Sequence, residues 1–318
     1  MEQILVVGHK NPDNDSISSA ICYAAFKQAL NDRERELDPS IEPVEYKPVC
    51  LGPIPTESAW ILDRFGFDAP EFITHVEPGC KLALVDHNEY QQAVDGIDHA
   101  EIVELVDHHR IGSFTTARPV QCITFPWGCT ATIIAFLYDA YELEIPPSIA
   151  AVLLGAILTD TVIFKSPTTT KTDIQTAEKL AEIAGLEVES FGMEIFESRG
   201  GVEDLDVHTL VCADSKEFPV STGTILIAQR ETVAPQKILA REEEIRAYMK
   251  DLASKHKYEY VLFLVTDILN EGSYFLVEGD PSQVDRVFDI QVPTGSVWIP
   301  GVLSRKKQVA APILADNA

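Results

Sequence analysis

The chain has 318 residues and a formal net charge of −25, with 46% hydrophobic and 24% charged residues. This length favours two domains, and this composition is typical of a globular protein that buries a core. A chain with this much negative charge repels phosphate backbones. Duplex nucleic acid is therefore not expected as a partner. A small phosphorylated substrate would need metal ions or local cations to reverse the sign of the field at its site.

Short apolar strands alternate with helices along the first half of the chain. The predicted strands are Ile4–Val7, Val44–Cys50, Leu82–Val85 and Ile102–Val106. The predicted helices are Ser16–Leu30, capped by Asp15 or Ser16, Thr56–Phe65, capped by Thr56, and then Cys129–Tyr141, Ser148–Leu158 and Thr172–Ala184. The polar stretch Asn31–Pro43 is expected to be a loop. This alternation predicts a doubly wound parallel sheet.

The second half begins after a polar segment with paired glycines, "ESRGGVEDL" at 197–205. It contains a charged stretch that predicts a long helix around Lys237–His256, and the strands expected beside it are Thr224–Gln229, Tyr260–Thr266, Tyr274–Val277 and Val297–Ile299. We therefore expect a first domain over residues 1–198, a hinge linker over 199–205 and a mixed α/β domain over 206–318.

The chain lacks the marks of a secreted or membrane protein. No basic segment followed by a long apolar one begins the sequence, and the longest apolar run, Ile149–Leu158, is too short to span a bilayer. The six cysteines include no CxxC pair, which argues against a zinc knuckle and for buried thiols in a reducing compartment. We expect a cytoplasmic protein with no membrane partner.

Polar residues follow the predicted strands of the first domain. They lie in "HKNPDND" after the first strand, in "VDHNE" and "VDHH" after two later ones, and in "LTD" at the end of the apolar helix: His9, Asp13, Asp15, Asp86, Asp107, His108, His109 and Asp160. Sites of parallel α/β sheets form at the carboxyl ends of strands. This oxygen-rich set with some nitrogen suits Mn²⁺, Co²⁺ or Mg²⁺, and four of its carboxylates balance two divalent cations.

Each of these residues alone is more often a helix cap, a turn residue or a satisfied histidine than a ligand. The four motifs in this order are far more specific, and "SRKKQ" at 304–308, "DSKEF" at 214–218 and "FKSPT" at 164–168 accompany them. Together they resemble the DHH phosphoesterase superfamily, and most closely the manganese-dependent family II inorganic pyrophosphatases. The resemblance covers nearly the whole chain.

The resemblance implies a role for each matching position. His9 and Asp13 would bind one metal, Asp15, His108 and Asp160 the other, and Asp86 both; the implied phosphate contacts are His109, Lys216, Arg305 and Lys306. It implies an N-terminal DHH domain and a DHHA2-like domain with the active site in the cleft between them. A metal-activated bridging water or hydroxide would split diphosphate into two phosphates. Two or more Mn²⁺ ions per subunit, replaceable by Co²⁺ or Mg²⁺, and a homodimer are also implied.

Three alternatives stay open. An exopolyphosphatase of the same superfamily would share the metal ligands, whereas a short-oligonucleotide phosphodiesterase would carry a glycine-rich C-terminal motif that this chain lacks. A phosphate sensor without turnover would not need all six ligands. The resemblance gives no role to two residues within the motifs, Asp107 and His87. Asp107 is expected to orient a histidine without itself binding metal, and the same is expected of His87.

Overall fold

The computed structural model describes residues 2–199, 205–291 and 295–316. The chain folds as two compact units, residues 1–199 and 200–318. Residues 200–204, within the hinge predicted at 199–205, lie outside the described residues, so the hinge stays a prediction. Among the described residues, no helix is long and apolar enough to cross a membrane.

The first unit is built on a parallel sheet. Its described strands are β1 (Glu2–Lys10), β2 (Val44–Leu51), β3 (Glu71–Phe72), β4 (Lys81–Val85), β5 (Glu101–Asp107) and β6 (Gln121–Thr124). They lie in the order β3-β2-β1-β4-β5-β6, and each neighbouring pair is parallel. The predicted α/β class is confirmed, and the direction of the strand order reverses between β1 and β4, where sites of such sheets form.

The helices of this unit are α1 (Asn14–Leu37), α2 (Thr56–Phe65), α3 (Thr130–Ala140), α4 (Pro147–Asp160), α5 (Lys171–Ala184) and α6 (Val188–Ser198). The expected loop at Asn31–Pro43 is wrong, because α1 continues to Leu37 through charged residues that favour helix on a solvent-facing surface. Two caps also differ. Asp13 caps α1 by accepting from the Ser16 N–H, and Pro55 precedes α2.

Apolar strands and one apolar helix form the core of the first unit. Val7, Leu82 and Leu84 of the sheet pack in one buried cluster with Val94 and Ile97. Helix α4 is buried from residue 149 to residue 159 and packs against α1 and α5. A helix buried on all sides is apolar all round, which explains the run that the sequence shows. Asp160 is the last residue of this helix.

The second unit contains a mixed sheet in the order β11-β10-β9-β8-β7. The strands are β7 (Ser215–Val220), β8 (Gly223–Thr232), β9 (Tyr260–Asp267), β10 (Gly272–Gly279) and β11 (Val297–Pro300), with β8 and β9 parallel and the other pairs antiparallel. The helices are α7 (Val207–Cys212), α8 (Pro235–Leu239), α9 (Glu242–His256), α10 (Ser282–Phe288) and α11 (Ala311–Ala315). The helix predicted around Lys237–His256 is therefore two helices.

Candidate metal centre

Strands β1, β4 and β5 are neighbours, so their carboxyl ends meet at one edge of the sheet. His9 lies near the end of β1, and its backbone N–H donates to Ser16 Oγ of α1 at 3.0 Å. A Cβ atom at Gly8 would come within 2.0 Å of that Ser16 oxygen. Only glycine lets the strand approach the first turn of α1 so closely, and this approach sets His9 beside Asp13, with Nε2 at 3.6 Å from Asp13 Oδ1.

Asp15 is fully buried between the first turns of two helices. Its Oδ2 accepts from the Thr130 N–H at 2.7 Å, and its Oδ1 accepts from the Ala131 N–H at 3.1 Å and from Ser19 Oγ at 2.8 Å. These amides are the free donors at the start of α3, so the carboxylate takes the place of a side-chain cap. Burial, reinforced by the charge of Asp86, raises the pKa of Asp15 to about 7.

Asp86 directly follows β4 and has a left-handed backbone, with φ at 61°. Its Oδ1 accepts from Thr130 Oγ1 at 3.1 Å and lies 3.4 Å from His108 Nε2. Its Oδ2 lies 3.4 Å from His9 Nε2, is buried, and accepts no hydrogen bond among the described residues. Burial alone would raise the pKa of Asp86, but His108 and His9 outweigh it and hold the pKa below its usual range.

His9 and His108 both direct their Nε2 atoms toward Asp86. His9 Nδ1 donates to the Lys10 carbonyl at 2.8 Å, and His108 Nδ1 donates to the Trp127 carbonyl at 2.9 Å. A carbonyl only accepts, so Nδ1 carries a proton, and Nε2 is the nitrogen that would bind a cation after releasing its own proton. Burial lowers both histidine pKa values, but the carboxylates outweigh it, raising that of His9 to about 11 and that of His108 to about 9.

The structure brings all six predicted metal ligands together in two groups, and a third group, Asp86, His108 and His109, overlaps both. One group is His9, Asp13 and Asp86, and the other is Asp15, His108 and Asp160; within each, the donor atoms lie within 4.8 Å of one another. Donors that share one ion at about 2.1 Å stand roughly 3 to 4 Å apart. Acceptor atoms packed so closely need a cation between them, either a proton or a metal ion.

His109 has a different setting from the other two histidines. Its ring lies next to Asp86, with Nδ1 at 3.7 Å from Oδ1, but the same Nδ1 is 2.9 Å from Asp107 Oδ1. The side chain is 52% exposed, whereas Asp107 is fully buried. Asp107 thus orients a histidine, as expected. His87 points elsewhere, since its Nδ1 bonds the Val85 carbonyl and its buried Nε2 has no hydrogen-bond partner among the described residues.

The predicted phosphate-binding residues Lys216, Arg305 and Lys306 belong to the second unit. Lys216 lies on β7 and is exposed, as is Lys306 in the π-helical turn Arg305–Ala310. Arg305 already has an acidic neighbour, because its Nη2 lies 2.7 Å from Asp214 Oδ1. The expected compact cationic patch therefore includes a carboxylate.

Some residues that support the site were not anticipated. Thr130 contacts two of the carboxylates, and Asn88 of "VDHNE" donates to Asp107 Oδ2 and to the Arg110 carbonyl, which fixes the loop after β5. Asp173 is buried and accepts from the Gly128 N–H, next to the carbonyl that orients His108. Only Asn88 had a signal in the sequence, because it lies inside a motif. The expectation of six buried thiols is wrong at Cys122, which is exposed, and at Cys80 and Cys212, which are only half-buried.

Comparison with known proteins identifies the protein family to which the chain belongs. Residues 3–157 match the DHH family, N-terminal domain, and residues 193–316 match the DHHA2 domain. A probable manganese-dependent inorganic pyrophosphatase of Archaeoglobus fulgidus is 43% identical over 98% of both chains, and one of Staphylococcus epidermidis is 38% identical over 98% of both. A Methanococcus jannaschii structure assigned to the family II inorganic pyrophosphatases is 37% identical over 99% of both chains, with a TM-score of 0.59.

An exopolyphosphatase-related protein of Bacteroides fragilis shares the fold at 13% identity, with a TM-score of 0.50 over 99% of this chain and 92% of that one. The parallel sheet, the clustered histidines and carboxylates at its edge and the two matched domains define a DHH-class protein. Within that class, the chain belongs to the manganese-dependent family II inorganic pyrophosphatases, as its full-length relatives show.

Proposed function

We propose that this protein hydrolyses inorganic diphosphate to two phosphates, using two divalent cations held by residues of the first unit. One observation carries the proposal: the two oxygens of Asp86 face different groups. Oδ2 lies 3.4 Å from His9 Nε2 and Oδ1 lies 3.4 Å from His108 Nε2. A single carboxylate so placed can serve both ions, and its buried Oδ2 accepts no hydrogen bond among the described residues.

The donor set favours Mn²⁺ or Co²⁺ over Mg²⁺. We assign His9 and Asp13 to one ion, Asp15, His108 and Asp160 to the other, and Asp86 to both. Each ion then has one imidazole nitrogen, which Mg²⁺ disfavours, and no thiolate of the kind that structural zinc sites use. Four carboxylates also balance the charge of two divalent ions, which accounts for so many acids packed at one edge of a sheet.

The chemistry is hydrolysis without a covalent enzyme intermediate. Two bound divalent cations lower the pKa of a water and polarise phosphoryl oxygens. His109, held by Asp107, keeps Nε2 available for a phosphate oxygen. Lys216, Arg305 and Lys306 are proposed to bind the other phosphate and to offset the charge that develops on the leaving group. The proposed domains are accordingly residues 1–198 for metal binding and 206–318 for substrate binding.

The test pairs metal analysis with a phosphate-release assay on one preparation. Pyrophosphate, tripolyphosphate, long polyphosphate and a dinucleotide are offered in turn under Mn²⁺, Co²⁺ and Mg²⁺. We expect about two ions per chain, fast turnover of pyrophosphate, weak action on long polyphosphate and none on the dinucleotide. Preference for long polyphosphate would make the protein an exopolyphosphatase with the same ligands. Turnover without divalent metal would overturn the mechanism.

The homodimer and the cytoplasmic location are also proposals. The dimer is supported by the family resemblance, and light scattering that shows a monomer at working concentration would exclude it. The location is supported by the cysteines, all six of which are free thiols. Fractionation of the native cell checks it.

A further inference from the structure

Thr130, the first residue of α3, contacts a carboxylate from each of the two ligand groups. Its backbone N–H donates to Asp15 Oδ2 at 2.7 Å, and its hydroxyl donates to Asp86 Oδ1 at 3.1 Å. The side chain is completely buried. These two aspartates are 115 and 44 residues away from Thr130 along the chain, so a single residue links two distant ligand positions.

The hydroxyl matters because, among the described residues, it donates a hydrogen bond to an Asp86 carboxylate whose other close neighbours include the two histidine nitrogens at 3.4 Å. Asp86 follows a strand with φ at 61°, so no helix or strand geometry determines where its carboxylate points. The bond from Thr130 is the hydrogen bond that this carboxylate accepts among the described residues, since Oδ2 accepts none. When one oxygen of a carboxylate is fixed, the rotation of the group is fixed, and the other oxygen is placed as well.

Rotation of this carboxylate would disturb both groups at once. Oδ1 and Oδ2 each lie 3.4 Å from a different histidine nitrogen, so a turn that improves one contact spoils the other. Partners that orient metal ligands typically change metal affinity by roughly 10- to 100-fold when they are removed. A hydroxyl bound to the shared carboxylate should therefore affect both ions.

We propose that Thr130 is a positioning residue of the metal centre, whose hydroxyl sets the rotation of Asp86 so that each oxygen meets its own ion. The inference rests on the proposed function, because it takes Asp86 as the shared ligand. Thr130 is not among the proposed metal ligands or phosphate contacts. Its backbone bond to Asp15 is independent of the side chain and survives any substitution other than proline, so a side-chain variant isolates the Asp86 contact.

The chain supplies a matched control two residues further along the same helix. Thr132 is also completely buried, and its hydroxyl donates to a carboxylate oxygen, Asp173 Oδ1, at 2.7 Å. Asp173 is not among the proposed ligands. Its other oxygen keeps bonds from Gly128 and Thr170 when Thr132 is changed. Thr132→Val thus removes the same kind of bond from the same helix without touching Asp86.

The experiment titrates Mn²⁺ into metal-free full-length protein by calorimetry for the wild type, Thr130→Val, Thr130→Ser and Thr132→Val. Circular dichroism checks that each variant is folded. We expect Thr130→Val to bind Mn²⁺ roughly 10- to 100-fold more weakly, Thr130→Ser to restore the affinity, and Thr132→Val to bind as the wild type does. If Thr130→Val does not fold, the Mn²⁺ affinities of Thr130→Ser and Thr132→Val decide whether the hydroxyl positions Asp86.

Three results would overturn the inference: wild-type affinity in Thr130→Val, failure of Thr130→Ser to restore it, or equal weakening in Thr132→Val. The second result would mean that the methyl group matters instead of the hydroxyl. A wild-type protein that binds no Mn²⁺ would instead contradict the proposed metal centre itself, so the two failures are distinguishable.

Discussion

Asp107 Oδ1 accepts two hydrogen bonds from His109, one from its backbone N–H at 3.0 Å and one from its ring Nδ1 at 2.9 Å. The buried acid therefore fixes both the backbone and the ring of a half-exposed histidine. Since Nδ1 is engaged, Nε2 is the nitrogen left to meet a phosphate. The Asp107 carboxylate supports the site without being one of the proposed ligands.

Asp107→Asn should damage catalysis more than metal binding. Asp107 accepts from His109 on one oxygen and from Asn88 on the other, and an amide can accept on only one side. One contact is lost, so we expect kcat/KM to fall by at least about tenfold, with a stability loss of about 1–3 kcal/mol. Elemental analysis should find unchanged metal content, and the exposed Asp98→Asn is the control. Metal lost together with activity would mean that Asp107 acts through His108.

Metal removal should destabilise the protein through Asp86. A ligand that binds only the folded state at 100 times its Kd contributes about 2.7 kcal/mol, so chelation should lower the Tm of the wild type by several degrees. Asp86→Asn should stay folded, lose metal and activity, and show little change in Tm on chelation. Calorimetric scans with and without chelator check this. Near-normal turnover in the variant would refute the assignment of Asp86 to both ions.

The sequence predicts much of the site because its chemistry lies at strand ends. Strands are present at Ile4–Val7, Leu82–Val85 and Ile102–Val106, and polar residues lie at the end of each one. Strands β4 and β5 are one or two residues longer than expected, whereas β1 has nine residues and includes His9. Parallel strands place such residues at one edge of a sheet, so local patterns suffice to collect them. The order that makes β1, β4 and β5 neighbours depends on pairing between distant segments, which a local pattern does not contain.

What the sequence misses has physical reasons. Strands β3 and β6 have two and four residues, too short to show alternation. Asp13 is both a helix cap and a proposed ligand. An aspartate is suited to either role, so the residue type alone does not reveal that Asp13 has both. Thr130 looks like an ordinary residue at the start of a helix. Its importance comes from Asp15 and Asp86, which only the folded chain brings to it.

A largely buried ion pair joins α1, which carries Asp15, to β5, the strand that directly precedes His108. Lys27 of α1 lies 2.6 Å from Glu104 Oε1 of β5, whose Oε2 accepts from the buried Tyr23 hydroxyl at 2.8 Å. Lys27→Met strands the Glu104 carboxylate in the core and should cost about 3–5 kcal/mol of unfolding free energy in urea. Lys47→Met breaks an exposed pair with Glu71 and should cost less than about 1 kcal/mol. Equal losses would contradict this ranking.

Arg305 should matter for substrate and not for metal. Its guanidinium lies 2.7 Å from Asp214 Oδ1 within the second unit, and the proposed ligands all belong to the first. Arg305→Ala removes a cation proposed to face the leaving phosphate, where its effect grows as charge develops. We expect kcat/KM to fall by roughly 10²- to 10³-fold, with unchanged Mn²⁺ content and Tm.

Arg305→Lys separates charge from geometry in the same assay. Lysine keeps the positive charge but loses the planar pair of N–H donors that grips a phosphate, so it should recover only part of the lost rate. Exposed Arg118→Ala, whose side chain pairs with Glu101 in the first unit, is the control for removing an arginine from so acidic a protein. Loss of Mn²⁺ from Arg305→Ala would contradict the division of metal and substrate binding between the two units, and full recovery by lysine would reduce the role of Arg305 to charge alone.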